Sequence, residues 1–351
     1  MNDNFLEIIS AKSGERRDLF LAAATRLGTT EQNVEKDFWV CWVLDALFHG
    51  LPPDALRLLF KGGTSLSKAF GLIARFSEDI DITVFREDLG QAATVVQLEA
   101  LNRKKRNARL DEIKLACQQY ISVQLRETLG GLIDQTCQRA AVAAGQFRVT
   151  VDEDDPDSQT LLVWYPTVTP LEGYVRQAVK IESGAKSALD PNCETTIRPY
   201  LADDVASLNL DIPGVTTVVA ERTFWDKVII IHGQRRWFER RGELQHQGQR
   251  VSRHYYDVYR LLDSEAGQRA LADSSLSHDC VRHARMFFDR PDFDLASAIP
   301  GTLALSPSPE MVDSLRRDYD RMTGMIMGAA PEFDDVIARI QEFERRINAP
   351  A

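Results

Sequence analysis

Apolar positions along this chain fall into short blocks with two distinct periods. From Leu56 to Phe85, LRLLFKGGTSLSKAFGLIARFSEDIDITVF reads as a buried strand, a Gly-Gly turn, a short helix and a second strand in which Ile80, Ile82 and Val84 alternate with polar residues. Upstream, residues from about Thr30 to His49 predict a helix. Thr30 can cap it, acidic residues occupy its first turn, and Val34, Phe38, Cys41, Trp42 and Leu44 supply its apolar positions. Residues 97–144 hold no proline and turn from highly polar to rich in Ala, Leu, Gln and Arg, which predicts long helices. Gln146 to Val151 and Thr160 to Tyr165 alternate around an acidic, proline-containing turn and predict a hairpin; Tyr174 to Ser183 reads as a third strand. A helix is expected over Thr217 to His232, then a mobile, Gly- and Gln-rich loop from Gly233 to Arg250, then the helix SRHYYDVYRLL and further helices to EFDDVIARIQEFERRI. The expected molecule is α+β with two lobes. Residues 1–212 form a mixed-sheet lobe with a helical insert at 97–145, and residues 213–351 form a helical lobe.

Composition narrows the class. A chain of 351 residues with 44% hydrophobic and 27% charged residues is that of an ordinary globular protein. The start, MNDNFLEIISAKSGERR, is no signal peptide, and no apolar run approaches the ~20 residues that span a bilayer. The five cysteines are scattered without a CxxC pair, so reduced, mostly buried thiols and a cytoplasmic location without membrane association are expected. A net charge of −10 is not that of a typical nucleic-acid binder, and no DNA partner is expected. Two basic clusters stand against it, Arg103-Lys104-Lys105-Arg106 and Arg235-Arg236-Trp237-Phe238-Glu239-Arg240-Arg241. Either is a solvated helix face or a docking strip for RNA phosphates, with Trp237-Phe238 able to stack bases.

The chemistry concentrates in the block that opens at Leu56. Asp79 and Asp81 are i and i+2 in a strand, so both carboxylates point to one face with Cα atoms roughly 6.6 Å apart and can reach one divalent-metal cluster. A Gly62-Gly63 turn leading into a helix presents backbone N–H groups suited to a phosphate. Joined at this spacing, the two halves point to nucleotidyl transfer. Lys61 is either a strand-end surface lysine or a phosphate contact, and Ser77 either caps the local turn or lies near the γ-phosphate. The acidic turn from Asp152 to Asp157 lacks the glycine and terminal glutamate of a calcium loop. The six histidines have no ligand spacing; His232 and His254 read as structural or cleft-lining.

Four blocks carry a family resemblance: EKDFWVCWVLDALF (Glu35 to Phe48), FKGGTSL with FSEDIDI, ERTFWDK (Glu221 to Lys227) and SRHYYDVYRLL (Ser252 to Leu262). In this order the chain resembles the nucleotidyltransferase-fold toxins of the AbiEii family. The resemblance implies a polymerase-β-like core and an NTP donor. It also implies Mg²⁺, with Mn²⁺ as the alternative, and transfer to RNA at the acceptor end of tRNA that blocks translation. Such toxins serve bacterial toxin–antitoxin or phage-defence systems, so a cognate antitoxin is implied. Asp79, Asp81 and Glu182 become the metal-associated carboxylates, although Glu182 also reads as a surface strand residue paired with Lys180. The backbone at Gly62, Gly63 and Thr64 would bind the β- and γ-phosphates. The wider superfamily has Gly-Ser where this chain has Gly62-Gly63-Thr64-Ser65, which leaves open whether Thr64 or Ser65 supplies a phosphate-facing hydroxyl. Lys227 would offer a point charge to the triphosphate, and Asp257 would orient Lys227 or the acceptor. Arg253, at i, i+4 from Asp257, shares its face and the nucleotide site. The acids Glu35 and Asp37 suit a helix N-terminus anyway, so that block stays outside the catalytic set. Two alternatives use the same residues: a transferase that modifies a protein or small molecule, and a non-catalytic nucleotide-binding partner.

Overall fold

The computed structural model describes residues 1–143, 145–170, 176–245 and 250–350. The chain opens with α1 (Asn4–Ser10), α2 (Ser13–Leu27) and α3 (Glu31–Asp45), then β1 (Leu58–Lys61), α4 (Gly62–Lys68) and β2 (Asp79–Val84). Helices α5 (Val95–Glu99), α6 (Arg103–Gln119) and α7 (Arg126–Ala140) precede β3 (Arg148–Val151), β4 (Thr160–Trp164), β5 (Ala178–Gly184), β6 (Asn192–Ile197) and β7 (Ile212–Val218). The remainder is helical: α8 (Ala220–Arg241), α9 (Ser252–Leu262), α10 (Glu265–Ala272), α11 (Ser274–Phe287), α12 (Pro309–Met322) and α13 (Phe333–Ile347). Two compact units result. The first comprises Met1–Ala69, Phe76–Ala93 and Asn107–Val218; the second comprises Phe70–Arg75, Thr94–Arg106 and Val219–Ala351.

The first unit is built on a sheet of order β3-β4-β5-β2-β1-β7-β6. It is mixed, as expected for an α+β protein: β2 runs antiparallel to β1 and parallel to β5. Ile80, Ile82 and Val84 turn to one face and are fully buried, which leaves Asp79, Asp81 and Thr83 on the other. The core beside the sheet is aromatic. Trp39 stacks on Tyr165 at 5.4 Å, Trp42 meets Phe147 edge-on at 4.7 Å, and Phe38 lies 5.4 Å from Phe5. Helix α3 supplies three of these six rings and is buried on every side, from Gln32 to Asp45. Its cap is the expected one, the Thr30 side chain accepting from the Asn33 N–H at 3.2 Å.

In the second unit Phe224 of α8 packs edge-on to Trp225 at 5.3 Å and to Phe343 of α13 at 5.9 Å, and the Trp225 indole N–H donates to the Ala270 carbonyl at 3.0 Å. No helix among the described residues is long and apolar enough to cross a membrane.

Several elements differ from the expectation. The loop expected from Gly233 is helical to Arg241, where Gly242 closes α8 in a left-handed conformation. Gly233 is there because a Cβ would meet the Phe293 ring at 3.3 Å, so a residue that reads as a helix breaker serves close packing. Residues 246–249 of that expected loop lie outside the described residues. Helix α8 starts at Ala220, since Thr217 and Val218 belong to β7. The third strand spans Ala178–Gly184; Tyr174 and Val175 lie outside the described residues. Strands β6 and β7 went unread, because β6 (NCETTI) is a polar edge strand and β7 carries Pro213-Gly214.

Candidate active site

Sheet register gathers the acidic residues of the first unit. Asp81 on β2 is paired across β1 with Lys61 and across β5 with Glu182, while Asp79 is paired with Lys180. Register partners share a face, so Lys61, Asp79, Asp81, Lys180 and Glu182 form one charged patch. Within it Lys180 Nζ lies 2.7 Å from Glu182 Oε1, and Lys61 Nζ lies 3.9 Å from Asp81 Oδ1. Burial opposes the Lys180 charge, but Glu182 and then Asp79 hold its ammonium above the ordinary lysine value. Asp79 is buried, whereas Asp81 is about a quarter exposed at its side chain, 25%.

The glycine turn is shaped around Asp81. Gly62 has φ +81°, and a Cβ there would lie 2.1 Å from Asp81 Oδ2. Glycine is therefore required twice, for the left-handed backbone and for the approach of the carboxylate. The hydroxyls nearby are held within the fold. Ser65 Oγ donates to the Gly62 carbonyl at 2.9 Å. Thr64 Oγ1 bonds Ser77 Oγ at 2.7 Å and donates to the Asp79 carbonyl. Thr64 thus links the first turn of α4 to the start of β2, and Ser77 braces that link.

Two hard oxygen donors on one strand face suit a divalent cation that takes one or two carboxylates and completes its shell with water and substrate phosphates, as Mg²⁺ does. Asp79 and Asp81 fit that requirement. Among the described residues no three groups of the His, Cys, Asp and Glu types converge as a closed ligand set, and Glu182 turns to Lys180 instead.

The second unit brings together another set. Asp257 of α9 is fully buried and accepts two bonds from Arg75, Nε to Oδ1 and a terminal guanidinium nitrogen to Oδ2, each 2.8 Å. Its Oδ2 also lies 2.7 Å from Lys227 Nζ of α8. Burial opposes the Asp257 charge, yet Arg75 and Lys227 hold its carboxyl well below the usual carboxylate range. Lys227 is likewise buried; burial and the like charges of Arg75 and Arg253 outweigh Asp257 and lower its ammonium below the ordinary lysine value. Asp257 is thus bonded to Arg75 and Lys227, and the expected Arg253 contributes only its field. Two cations share this one buried carboxylate. His254, half-buried, has its imidazolium disfavoured by desolvation and by Lys227 and Arg253.

Two groups were missed by the sequence reading. Arg75 stands one residue before the FSEDIDI block, and its only sequence signal is a charge at the end of an otherwise apolar GLIA run. The EKD residues of α3 tie three separate segments of the first unit together. Glu35 accepts from the Val168 N–H at 2.8 Å and from the hydroxyls of Thr167 and Thr169, each at 2.5 Å. Lys36 donates to Glu78 at 2.5 Å, directly before Asp79, and to the Arg176 carbonyl at 3.1 Å. Asp37 pairs with Lys68 at the end of α4 and accepts from the Tyr200 N–H at 2.7 Å.

Comparison with known proteins places this geometry. The family model "Nucleotidyl transferase AbiEii toxin, Type IV TA system" matches residues 45–339. No curated protein sequence matches. The fold is similar to the solved structure of MenT4, a nucleotidyltransferase toxin from Mycobacterium tuberculosis H37Rv, at 14% identity and a TM-score of 0.50, covering 95% of this chain and 90% of that one.

Proposed function

The chain belongs to the AbiEii family of nucleotidyltransferase toxins of type IV toxin–antitoxin systems, and from that premise we propose that it transfers an NMP from an NTP to RNA, specifically tRNA, with Mg²⁺ held by Asp79 and Asp81. One observation carries the reading: the Asp79–Asp81 pair sits on one strand face, with Asp81 pressed against a turn that only glycine can form.

In the proposed reaction an RNA hydroxyl oxygen bonds the α-phosphorus, the bond to the β-phosphate oxygen breaks, and pyrophosphate and a proton leave. When bound, Mg²⁺ or Mn²⁺ supplies charge neutralisation on the phosphates and on the attacking oxygen. Asp79 and Asp81 would hold it, and Glu182, which lies on the same face paired with Lys180, is the carboxylate that the family resemblance adds to them. The Gly62, Gly63 and Thr64 backbone faces the β- and γ-phosphates. Lys227, paired with Asp257 at 2.7 Å, is the lysine that the family resemblance assigns to the triphosphate tail. Asp257 orients that lysine.

Modification of tRNA would block translation in the cytoplasm, and a cognate antitoxin would restrain it, in a setting that includes phage defence. The test is incubation of the protein with total RNA and each labelled NTP in Mg²⁺ or Mn²⁺. Label recovered in tRNA is the expected result. Label in protein or a small molecule replaces the acceptor, and no label with any NTP leaves a nucleotide-binding partner.

A further inference from the structure

We propose that the RNA acceptor docks its phosphates on the exposed basic turn Arg103-Lys104-Lys105 of α6 and the adjoining end of α11, and not on the Arg235–Arg241 cluster. This deepens the RNA reading above and rests on it.

The sequence offers two basic clusters of similar strength, and the fold treats them differently. In the second cluster all four arginines are already engaged by carboxylates. Arg235 and Arg236 lie 2.9 and 3.0 Å from Glu239, and Arg241 lies 2.5 Å from Asp292 with Arg240 at 3.9 Å from the same carboxylate. Its tryptophan is also engaged, with Trp237 6.0 Å from the Phe293 ring and covered by Arg241.

The α6 turn is the opposite case. Arg103, Lys104 and Lys105 are exposed and have no ion pair among the described residues. No acid stands in the first turn of α6, although that end of a helix carries partial positive charge and favours acids. The placement therefore raises the local positive potential and does nothing for the helix. Arg106 reaches Met286 Sδ at 3.7 Å, which brings this turn beside the end of α11 in the same unit. There Arg285 adds an exposed cation, and Phe288 presents a ring that is 45% exposed. The acids nearby offset little, since Glu99 is held by Arg282 at 2.7 Å and only Asp289 follows Phe288. In a chain of net charge −10, a strip of unanswered cations beside an exposed aromatic ring fits single-stranded RNA, whose phosphates take the cations and whose bases stack. An acidic protein would use the cations and leave the ring without a partner.

The experiment measures binding of fluorescently labelled total tRNA to the full chain, without NTP, between 50 and 200 mM salt. It compares the wild type, the Arg103→Gln/Lys104→Gln/Lys105→Gln variant and a variant with Arg235, Arg236, Arg240 and Arg241 changed to Gln. The α6 variant should lose about 2.1 to 2.7 from the log–log salt slope, so the wild type's affinity falls about 20- to 40-fold more than the variant's over this range. The other variant should keep the wild-type slope, and Phe288→Ala should weaken binding about fivefold or more. An α6 variant with the wild-type slope, while the wild type binds tRNA, overturns the docking surface and leaves the RNA reading standing. A wild type that binds no RNA and labels protein instead removes the RNA reading, and this surface with it. Loss of binding to an acidic protein partner, with tRNA binding unchanged, reassigns the surface to that partner.

Discussion

At Gly62 the demands of backbone and site coincide, since its φ of +81° is joined to an approach that places any added Cβ 2.1 Å from Asp81 Oδ2. Gly62→Ala should therefore cost about 1–2 kcal/mol in backbone strain and displace the Asp81 carboxylate, so that transfer falls far more than stability. Melting temperature and single-turnover rate measured together decide this; wild-type turnover would mean that Asp81 has room to spare. Asp79→Asn and Asp81→Asn should each abolish transfer with the melting temperature nearly kept, because an amide retains the shape but not the charge that holds a divalent cation. Turnover by either purified variant would remove the metal assignment. Asp257 differs, being structural and electrostatic at once. Asp257→Asn leaves Arg75 and Lys227 buried without their anion, which should cost about 3–5 kcal/mol. Its folded carboxyl lies below the unfolded value of ~3.9, so its contribution is complete above that pH and is lost as pH falls through the folded value. The variant should lack that acid limb in denaturant titrations run as a function of pH.

Helix α3 shows how an element can serve a site from a distance. A helix buried on all sides cannot leave Glu35, Lys36 and Asp37 unpaired, and each one's partner lies in a different segment: residues 167–169, the turn before Asp79, and the end of α4. Those acids read from sequence as favourable helix-start charges, because partners far along the chain leave no local trace. Lys36→Met keeps the apolar stem but removes the ammonium that holds Glu78 directly before Asp79, so transfer should slow about tenfold or more while NTP affinity holds. If kcat is unchanged and only the melting temperature moves, Lys36 has no part in positioning Asp79. Helix α8 carries the reverse lesson. Its Gly- and Gln-containing second half was read as loop from local propensity, yet packing on Phe293 keeps it helical to Arg241. Thr30 and the Arg148–Trp164 hairpin, whose signals are local, lie where the sequence places them.

For the whole molecule, transfer should stop on chelation with EDTA and return with Mg²⁺ or Mn²⁺, while the circular dichroism spectrum stays the same. A spectrum that collapses on chelation would point to a structural metal instead. Acid should weaken the fold in a second window. His254 is disfavoured as an imidazolium in the folded chain but protonates in the unfolded chain below about 6.5, so stability is full above that pH and declines beneath it. His254→Gln should shrink this limb, with His232, lowered by burial as well, supplying the rest. By itself the sequence determined the α+β class, the strand–turn–helix–strand block and the Asp79–Asp81 face, because alternation, a glycine pair and i, i+2 spacing act within a few residues. It also carried the family, through blocks spread from Glu35 to Leu262. Only the tertiary structure decided that Lys180 holds Glu182, that Arg75 and Lys227 share Asp257, and that the α6 cations stay unanswered while the Arg235–Arg241 charges are spent. The Asp257 and Asp292 pairs depend on side chains brought together from separate segments, and the local pairs depend on which neighbours burial leaves to compete for each charge. Ion pairing and desolvation are set by distance in space, which a linear pattern of residue types does not encode.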